Sequence, residues 1–286
     1  MPDTIPIGII GGSGLYNMEE LKEKEERIIT TPFGEPSGPI VLGKIRGKQV
    51  AFLPRHGKGH VFTPSQVNYR ANIYALKSLG VRFIIAVSAC GSLKEKYAPG
   101  HIVVPDQLVD FTKGVRKRSF FESGLVAHIG TAEPFCPELS DILYKAASGG
   151  DKTIHRGGRF ITIEGPRFST QGESNLFRSW GMDIIGMTTS PEAYLAREAE
   201  ISYAIMAHVT DYDVWHDEPV STEMVIKTFT KNIEHAHTSI VKAVELIDEK
   251  AEYDAHSALC GAIMTHKDEM WGTQAEKLAL LTQKYL

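Results

Sequence analysis

The most constraining feature of the chain is an apolar run at residues 201–215, ISYAIMAHVTDYDVW, that ends in two aspartates. Such a run predicts a strand buried on both faces, and ligands of α/β proteins bind beyond the carboxyl ends of such strands. If the chain stays extended, Asp211 and Asp213 leave the same face. Two acids crowded at an apolar core favour retention of a proton on one of them. The alternative is that Asp211 caps a turn and Asp213 is solvated.

The composition is that of an ordinary globular enzyme, with 286 residues, 42% hydrophobic residues and a net charge of −4. No linker or internal repeat interrupts the pattern, so we expect one α/β domain. Neither a basic patch for nucleic acid nor a membrane-length apolar run is present, and the N-terminus does not resemble a signal peptide. We therefore expect a cytoplasmic protein. The three widely spaced cysteines, Cys90, Cys136 and Cys260, fit a reducing compartment.

A glycine-rich turn follows the first apolar strand, at Gly11-Gly12-Ser13-Gly14. It fails the dinucleotide pattern GxGxxG, because Asn17 stands where that pattern needs glycine. Backbone N–H groups of such a turn, with the Ser13 hydroxyl, suit a phosphate oxygen as well as a cofactor. A purely structural turn explains the same residues.

Two further strand ends carry polar side chains of the same kind. A hairpin at residues 40–53 delivers Arg55 and His56, and a strand at residues 81–87 ends in Ser88 and Ala89. Arginine suits oxyanions and histidine adds a second donor, so convergence of these ends with the glycine turn predicts a phosphate site. The spacing of His56 and His60 on a glycine-interrupted loop argues against a metal site.

The remaining elements alternate between helices and strands. Residues 18–29 are charge-rich and predict a surface helix or loop, whereas residues 251–286 have weak helical character. We expect helices at residues 64–80, 137–147, 169–180, 191–200 and 222–250, the last capped by Ser221. We expect strands at residues 101–110, 159–164 and 183–189.

Six motifs together resemble one known family. They are Gly11-Gly12-Ser13-Gly14-Leu15, Arg55-His56-Gly57, Ala89-Cys90-Gly91-Ser92-Leu93, Glu164-Gly165-Pro166-Arg167-Phe168-Ser169, Met187-Thr188-Thr189-Ser190-Pro191-Glu192 and Thr210-Asp211-Tyr212-Asp213. In this order they resemble the methylthioadenosine-cleaving branch of the trimeric purine nucleoside phosphorylase superfamily. The resemblance implies one α/β domain, a mixed central β-sheet flanked by helices, at residues 1–250. Residues 251–286 would be a helical extension packed on the same domain.

The resemblance also implies an activity and a role for each matched residue. The reaction would be phosphorolysis of S-methyl-5'-thioadenosine to adenine and 5-methylthioribose 1-phosphate, with Asp211 and Asp213 as the catalytic acids. Phosphate would be held by Ser13, Arg55, His56, Ser88, Ala89 and Thr188. The nucleoside would be held by Phe168, Ser169, Met187, Thr222, Val225, Ile226 and, from a neighbouring subunit, His128. Phosphate is a co-substrate, no metal or organic cofactor is implied, and the protein would be a homo-oligomer, either a trimer or a dimer of trimers.

Base specificity would follow from the acid. A carboxylate accepts a hydrogen bond from a 6-amino group and repels a 6-oxo group, and the 6-oxopurine enzymes of the superfamily have Asn at the position of Asp211 and Glu at that of Ser169. Two positions depart from the pattern. Gly186 replaces an expected Asn and resembles the 6-oxopurine branch, whereas Thr222 replaces a valine and its hydroxyl could admit a 5'-OH, so some adenosine activity is expected. The alternatives are a phosphorylase for inosine, guanosine or methylthioinosine, a non-catalytic nucleoside-binding protein and, after the failed glycine pattern, a dehydrogenase.

Overall fold

A computed structural model describes residues 4–12, 15, 18–217 and 220–286 of the chain. Within them lies an eleven-stranded mixed sheet. The strands are β1 (Ile7–Gly11), β2 (Lys22–Arg27), β3 (Ile40–Ile45), β4 (Lys48–Pro54), β5 (Phe83–Ser92), β6 (Ile102–Val104), β7 (Gln107–Phe111), β8 (Ile154–Arg156), β9 (Arg159–Ile163), β10 (Ile184–Gly186) and β11 (Ser202–Asp211).

The sheet branches at β5. The main path runs β2-β3-β4-β1-β5-β10-β9-β7, while β11, β6 and β8 continue from β5 as a second path. Neighbours along β4, β1, β5 and β11 are parallel, with Gly11 beside Pro54 and Asp211 beside Gly91. The carboxyl ends of these four strands therefore lie along one edge of the sheet.

Helices cover both faces of the sheet. One face packs against α1 (Tyr69–Ser78), α4 (Thr189–Glu198) and residues from the C-terminal end, and the other packs against α2 (Pro137–Ala147) and α5 (Thr222–Leu246). Helix α3 (Gln171–Ser179) packs through Phe177 on a smaller cluster near β9 and β10. The predicted fold class, a single-domain mixed sheet flanked by helices, is confirmed.

Most predicted elements are present, with corrected boundaries. Strand β11 is buried at every position, and Ser221 caps α5 by accepting from the amide of Met224. Helix α1 begins only at Tyr69, because the side chain of Asn68 accepts from the Ala71 amide and serves as its cap. The predicted strand at residues 101–110 is two strands, because Pro105 has no N–H for the ladder and the chain changes partners there.

The prediction for residues 18–29 is wrong. This stretch contains β2, an antiparallel edge strand beside β3, and all of its residues are exposed. Because β2 has charged side chains on both faces, it lacks the alternation of apolar and polar residues by which a strand is recognised. Its conformation is determined by the pairing with β3 instead.

The C-terminal residues are less helical than expected. They contain the 3-10 helices Asp254–Ser257 and Lys267–Glu269 and one α-helix, α6 (Gly272–Thr282). Leu259, Leu278 and Leu281 join the core cluster that covers the face of the sheet with α1 and α4. A division of the chain at residue 250 stays a prediction.

No helix among the described residues is both long and apolar enough to cross a bilayer.

Candidate active site

The predicted phosphate residues follow strands that are neighbours in the sheet. Arg55 comes directly after β4, and its amide donates to the carbonyl of Gly11 at the end of β1, at 2.9 Å. Ser88 and Ala89 lie in the next strand, β5. The three predicted strands are therefore neighbours, but the predicted end at Ser88 is wrong because β5 continues to Ser92, and Ser13 lies outside the described residues.

The two aspartates come together in a way that differs from the prediction. The register between β11 and β5 shifts after Val209, and Asp213 has a φ of +52°, so the chain does not remain extended from Asp211 to Asp213. A bulge of this kind re-aims a side chain at the end of a strand. Both acids are nonetheless 3% exposed, and they pack over Gly91 of β5. A β-carbon at Gly91 would lie 2.9 Å from Asp211 Oδ1 and 3.4 Å from Asp213 Cβ, so only glycine leaves room for the pair.

Asp211 is held by two hydrogen bonds of the protein. The amide of Asp213 donates to Oδ1 at 2.8 Å, so Asp211 does cap a turn, and the hydroxyl of Thr210 lies 2.6 Å from Oδ2. That hydroxyl is also 3.2 Å from the carbonyl of Cys90. It can donate to an ionised Asp211, or donate to the carbonyl of Cys90 and accept a hydrogen bond from a neutral Asp211. Burial, with a smaller contribution from Asp213, raises the pKa of Asp211 to about 6.

Asp213 lies among unsatisfied polar groups. Its Oδ2 and the hydroxyls of Ser169 and Ser174 are buried and make no hydrogen bond of ordinary geometry with the described residues. Burial raises the pKa of Asp213, and the two hydroxyls oppose that rise because they lie close enough to stabilise the charged form. Buried polar atoms without partners are rare in folded proteins, so this corner of the site is suited to a ligand that supplies the missing hydrogen bonds.

Arg55 forms a buried ion pair that the sequence did not predict. Its Nε and Nη2 donate to the two carboxylate oxygens of Glu192, each at 2.7 Å, and its Nη1 donates to the carbonyl of Val87 at 3.0 Å. The hydroxyl of Tyr203 also donates to Glu192, at 2.8 Å. Two of the five N–H groups of the guanidinium remain for an anion.

The position of the guanidinium relates Arg55 to Asp211. Arg55 contacts β5 at Val87, and Asp211 lies beside Gly91 of the same strand. Val87 and Gly91 are four positions apart, which corresponds to about 13 Å of extended chain. Arg55 and Asp211 therefore contact the same strand at two positions separated by a length that a phosphate, a ribose and a purine together can span.

His56 offers an acceptor rather than the predicted second donor. Its Nδ1 lies 2.9 Å from the carbonyl of Phe62, and only a protonated Nδ1 can donate there. Burial and the charge of Arg55 lower the pKa of His56 to about 4, so at neutral pH its Nε2 carries a lone pair. The ring stacks on His60 with 4.1 Å between centroids.

The other predicted phosphate residues present hydroxyl and backbone groups. Thr188 is buried at the start of α4 and makes no side-chain capping bond there. Ser88 is half-buried and donates to the carbonyl of Ala89.

The predicted nucleoside residues fall into two groups. Ser169 is buried beside Asp213, and Phe168 and Met187 are half-buried. In contrast, Thr222 and Ile226 on the first turns of α5 are exposed, as is His128 in a distant loop, and Val225 is only half-buried.

No group of three or more histidine, cysteine, aspartate or glutamate side chains in the described part of the chain is arranged to hold a metal ion.

A sequence model of the phosphorylase superfamily matches residues 6–245. The chain belongs to this superfamily. It is 53% identical to S-methyl-5'-thioadenosine phosphorylase of Chloroflexus aurantiacus and 49% identical to that of Geobacter sulfurreducens, over 98% of this chain and at least 98% of each relative.

Solved structures of superfamily members have the same fold. A methylthioadenosine phosphorylase from an antarctic soil metagenomic library superposes with a TM-score of 0.93 at 49% identity, covering 97% of this chain and 99% of the other. The enzyme of Schistosoma mansoni in complex with adenine superposes with a TM-score of 0.82 at 39% identity, covering 98% of both chains.

One departure from the superfamily pattern has a steric reason in the structure. A β-carbon at Gly186 would lie 2.6 Å from the ring of Phe160, which is fully buried. Phe160 therefore occupies the space that an asparagine side chain would need. A side chain at position 186 would therefore require Phe160 to move.

Arg116 supports the site, and sequence reasoning did not identify it. It is 5% exposed, forms an ion pair with Glu164 at 3.0 Å, and donates to the carbonyls of Met187 and Ser190 at 2.7 and 2.8 Å. It thus joins two of the six motifs to the loop that follows β7. Its only signal in the sequence is its place in the basic run at residues 113–118, a pattern that is also typical of solvated loops.

Proposed function

We propose that the chain catalyses phosphorolysis of S-methyl-5'-thioadenosine by inorganic phosphate. The observation that carries the proposal is the pair of buried acids, Asp211 and Asp213, on the sheet edge that also carries Arg55. The names of the relatives support the same substrate. Residues Ser13, Ser88, Ala89 and Thr188 would complete the phosphate site.

The reaction separates charge, and the site has groups for both parts. The N9–C1' bond breaks with its electron pair moving to the purine, while a phosphate oxygen forms a bond to C1' of the electron-poor ribose. Asp211 donates a proton to the departing purine at N7, or accepts from the 6-amino group when it is ionised. Asp213 and Ser169 bind the edge of the same base.

The charges near Arg55 define how phosphate would bind. Glu192 already balances the guanidinium, and His56 is neutral. Binding therefore depends on oriented N–H and hydroxyl donors more than on net positive charge. The lone pair of His56 Nε2 suits a phosphate oxygen that carries a proton.

A second part of the proposal concerns assembly and location. Thr222, Val225 and Ile226 would form the wall for the methylthio group, and Ile226 is 61% exposed in one chain. An apolar wall that is exposed to solvent in one chain has to be covered by another, and His128 from a neighbouring subunit would cover part of it. We therefore propose a homo-oligomer, a trimer or a pair of trimers, in the cytoplasm, with no cofactor.

The release of the free purine base tests the proposal directly. With methylthioadenosine we expect adenine to appear only when phosphate is present, as followed by ultraviolet absorbance. Adenosine should react more slowly, because Thr222 provides a hydroxyl but the pocket is otherwise apolar, and inosine should have a kcat/KM at least about 100-fold lower. Equal release without phosphate, or inosine as the best substrate, would overturn the proposal. No release from any nucleoside would indicate a binding protein.

The pH dependence of kcat/KM should report the protonation state of Asp211. Because the pKa of Asp211 is about 6, kcat/KM should decrease above that pH by about tenfold per unit if the protonated form is the donor. A flat kcat/KM profile from pH 6 to 9 would identify the ionised carboxylate as the active form.

The raised pKa of Asp211 also means that the native state holds this proton more tightly than the unfolded chain does. The stability that this group contributes is thus lost as the pH rises from about 4 to 6, by about 3 kcal/mol.

A further inference from the structure

We propose that residues 262–274 act as a strap that positions the loop at residues 122–128, and with it His128. The inference rests on the proposed role of His128 in a neighbouring pocket. It assigns Thr265 and Trp271 as positioning residues, which act through His128 and do not touch substrate.

The strap forms a short antiparallel ladder with the loop. The amide of His128 donates to the carbonyl of Ala262 at 2.9 Å, the amide of Met264 donates to the carbonyl of Val126 at 2.8 Å, and Ala127 pairs with Ile263 between them. The ladder fixes the backbone on both sides of residue 127 and includes the amide of His128 itself.

Thr265 extends the ladder with its side chain. Its Oγ1 accepts from the amide of Val126 at 2.8 Å. Both backbone groups of Val126 are therefore bonded to the strap, although the residue is 37% exposed.

Trp271 holds the other end of the loop. Its amide donates to the carbonyl of Gly124 at 3.1 Å, and its indole lies so close that a β-carbon at Gly124 would be 2.5 Å from the ring. Gly124 also has a φ of +93°, a conformation that favours glycine. The side chain of Gln274 adds a hydrogen bond to the carbonyl of Ser123 at 3.2 Å.

The imidazole of His128 does not contribute to this attachment. Its residue is exposed, and none of the described residues hydrogen-bonds to the ring. The loop is thus held through its backbone, and His128 itself stays exposed. Fixing a residue costs backbone entropy, so a loop that is ordered in advance does not incur that cost when a partner or nucleoside is bound.

The test uses the full-length chain and pairs each change with a control. Thr265→Val removes the acceptor at nearly constant volume, whereas Thr265→Ser keeps it. Trp271→Ala removes the indole from Gly124. We expect Thr265→Val and Trp271→Ala to speed amide hydrogen exchange at residues 126 and 128 about tenfold or more and to raise KM for methylthioadenosine about threefold to tenfold. Neither should change KM for phosphate, and Thr265→Ser should behave as wild type.

A double-mutant cycle with His128→Ala separates positioning from general destabilisation. If the strap acts through His128, Trp271→Ala raises KM in the wild-type background and has no further effect in His128→Ala. If Trp271→Ala raises KM by the same factor in the wild type and in His128→Ala, the proposal is wrong. It is also wrong if His128→Ala raises KM while both Thr265→Val and Trp271→Ala leave it unchanged. An unchanged KM in His128→Ala overturns the role of His128 and the strap with it, whereas a wild-type protein without phosphorolysis overturns the proposed function.

Discussion

Asp211→Asn is expected to lower kcat/KM for methylthioadenosine by about 10²- to 10⁴-fold, the usual contribution of a positioned general acid. It should also shift the preference toward inosine-type substrates. An amide Nδ2 can donate to a 6-oxo group but cannot protonate a departing purine. The measurement is kcat/KM for methylthioadenosine and inosine with the wild type and the variant.

Stability provides the control for this variant. The amide oxygen can still accept from the Asp213 amide, and the amide nitrogen can donate to Thr210, whose hydroxyl then donates to the carbonyl of Cys90. The substitution also removes a carboxyl whose ionisation burial disfavours. We therefore expect an unfolding free energy at pH 7 that is equal to or above that of the wild type. An unchanged ratio of the two kcat/KM values would contradict the assignment of Asp211.

Arg55→Ala is expected to destabilise the fold by about 3–5 kcal/mol, because it leaves the charge of Glu192 buried without its partner. The side chains of Arg55 and Glu192 are 3% and 1% exposed. The tyrosine hydroxyl of Tyr203 alone does not compensate a carboxylate. Urea unfolding at neutral pH measures the loss.

The chain contains a matched control for this measurement. Arg167 also pairs with a carboxylate through two hydrogen bonds of 2.7 Å, to Glu173, but its side chain is 63% exposed. A two-bond ion pair of the same bond lengths contributes only about 0–1 kcal/mol when it is exposed to water, so Arg167→Ala should have a small effect on stability. Equal losses in the two variants would show that burial of the Arg55 pair does not determine its strength.

The elements that position the site were predictable because their signals are local. The apolar run before Asp211 predicts a buried strand, and the apolar runs before Gly11, Arg55 and Ser88 predict the neighbouring strands β1, β4 and β5, although β5 continues beyond Ser88 to Ser92. The cap at Ser221 follows from its position before a periodic helix. Each of these depends on residues close together in the sequence.

What could not be predicted depends on contacts between distant residues. Arg55 and Glu192 are separated by 137 positions, and only the folded chain shows that they pair. The apolar pattern of residues 201–215 predicts that the strand stays extended past Asp211, but the positive φ of Asp213 ends the extended conformation. Similarly, the pairing of β2 with β3 overrides the charge pattern of residues 18–29.

Strand β2 also determines how copies of the protein can meet. It is the last strand on its side of the sheet, and its sequence KEKEER exposes a charge at every position. A foreign strand that added here would have to bury those charges against its own side chains, so this border resists filament growth by strand addition. At high concentration, copies of the chain are therefore expected to associate through other surfaces. Such contacts can form closed assemblies with a defined number of subunits.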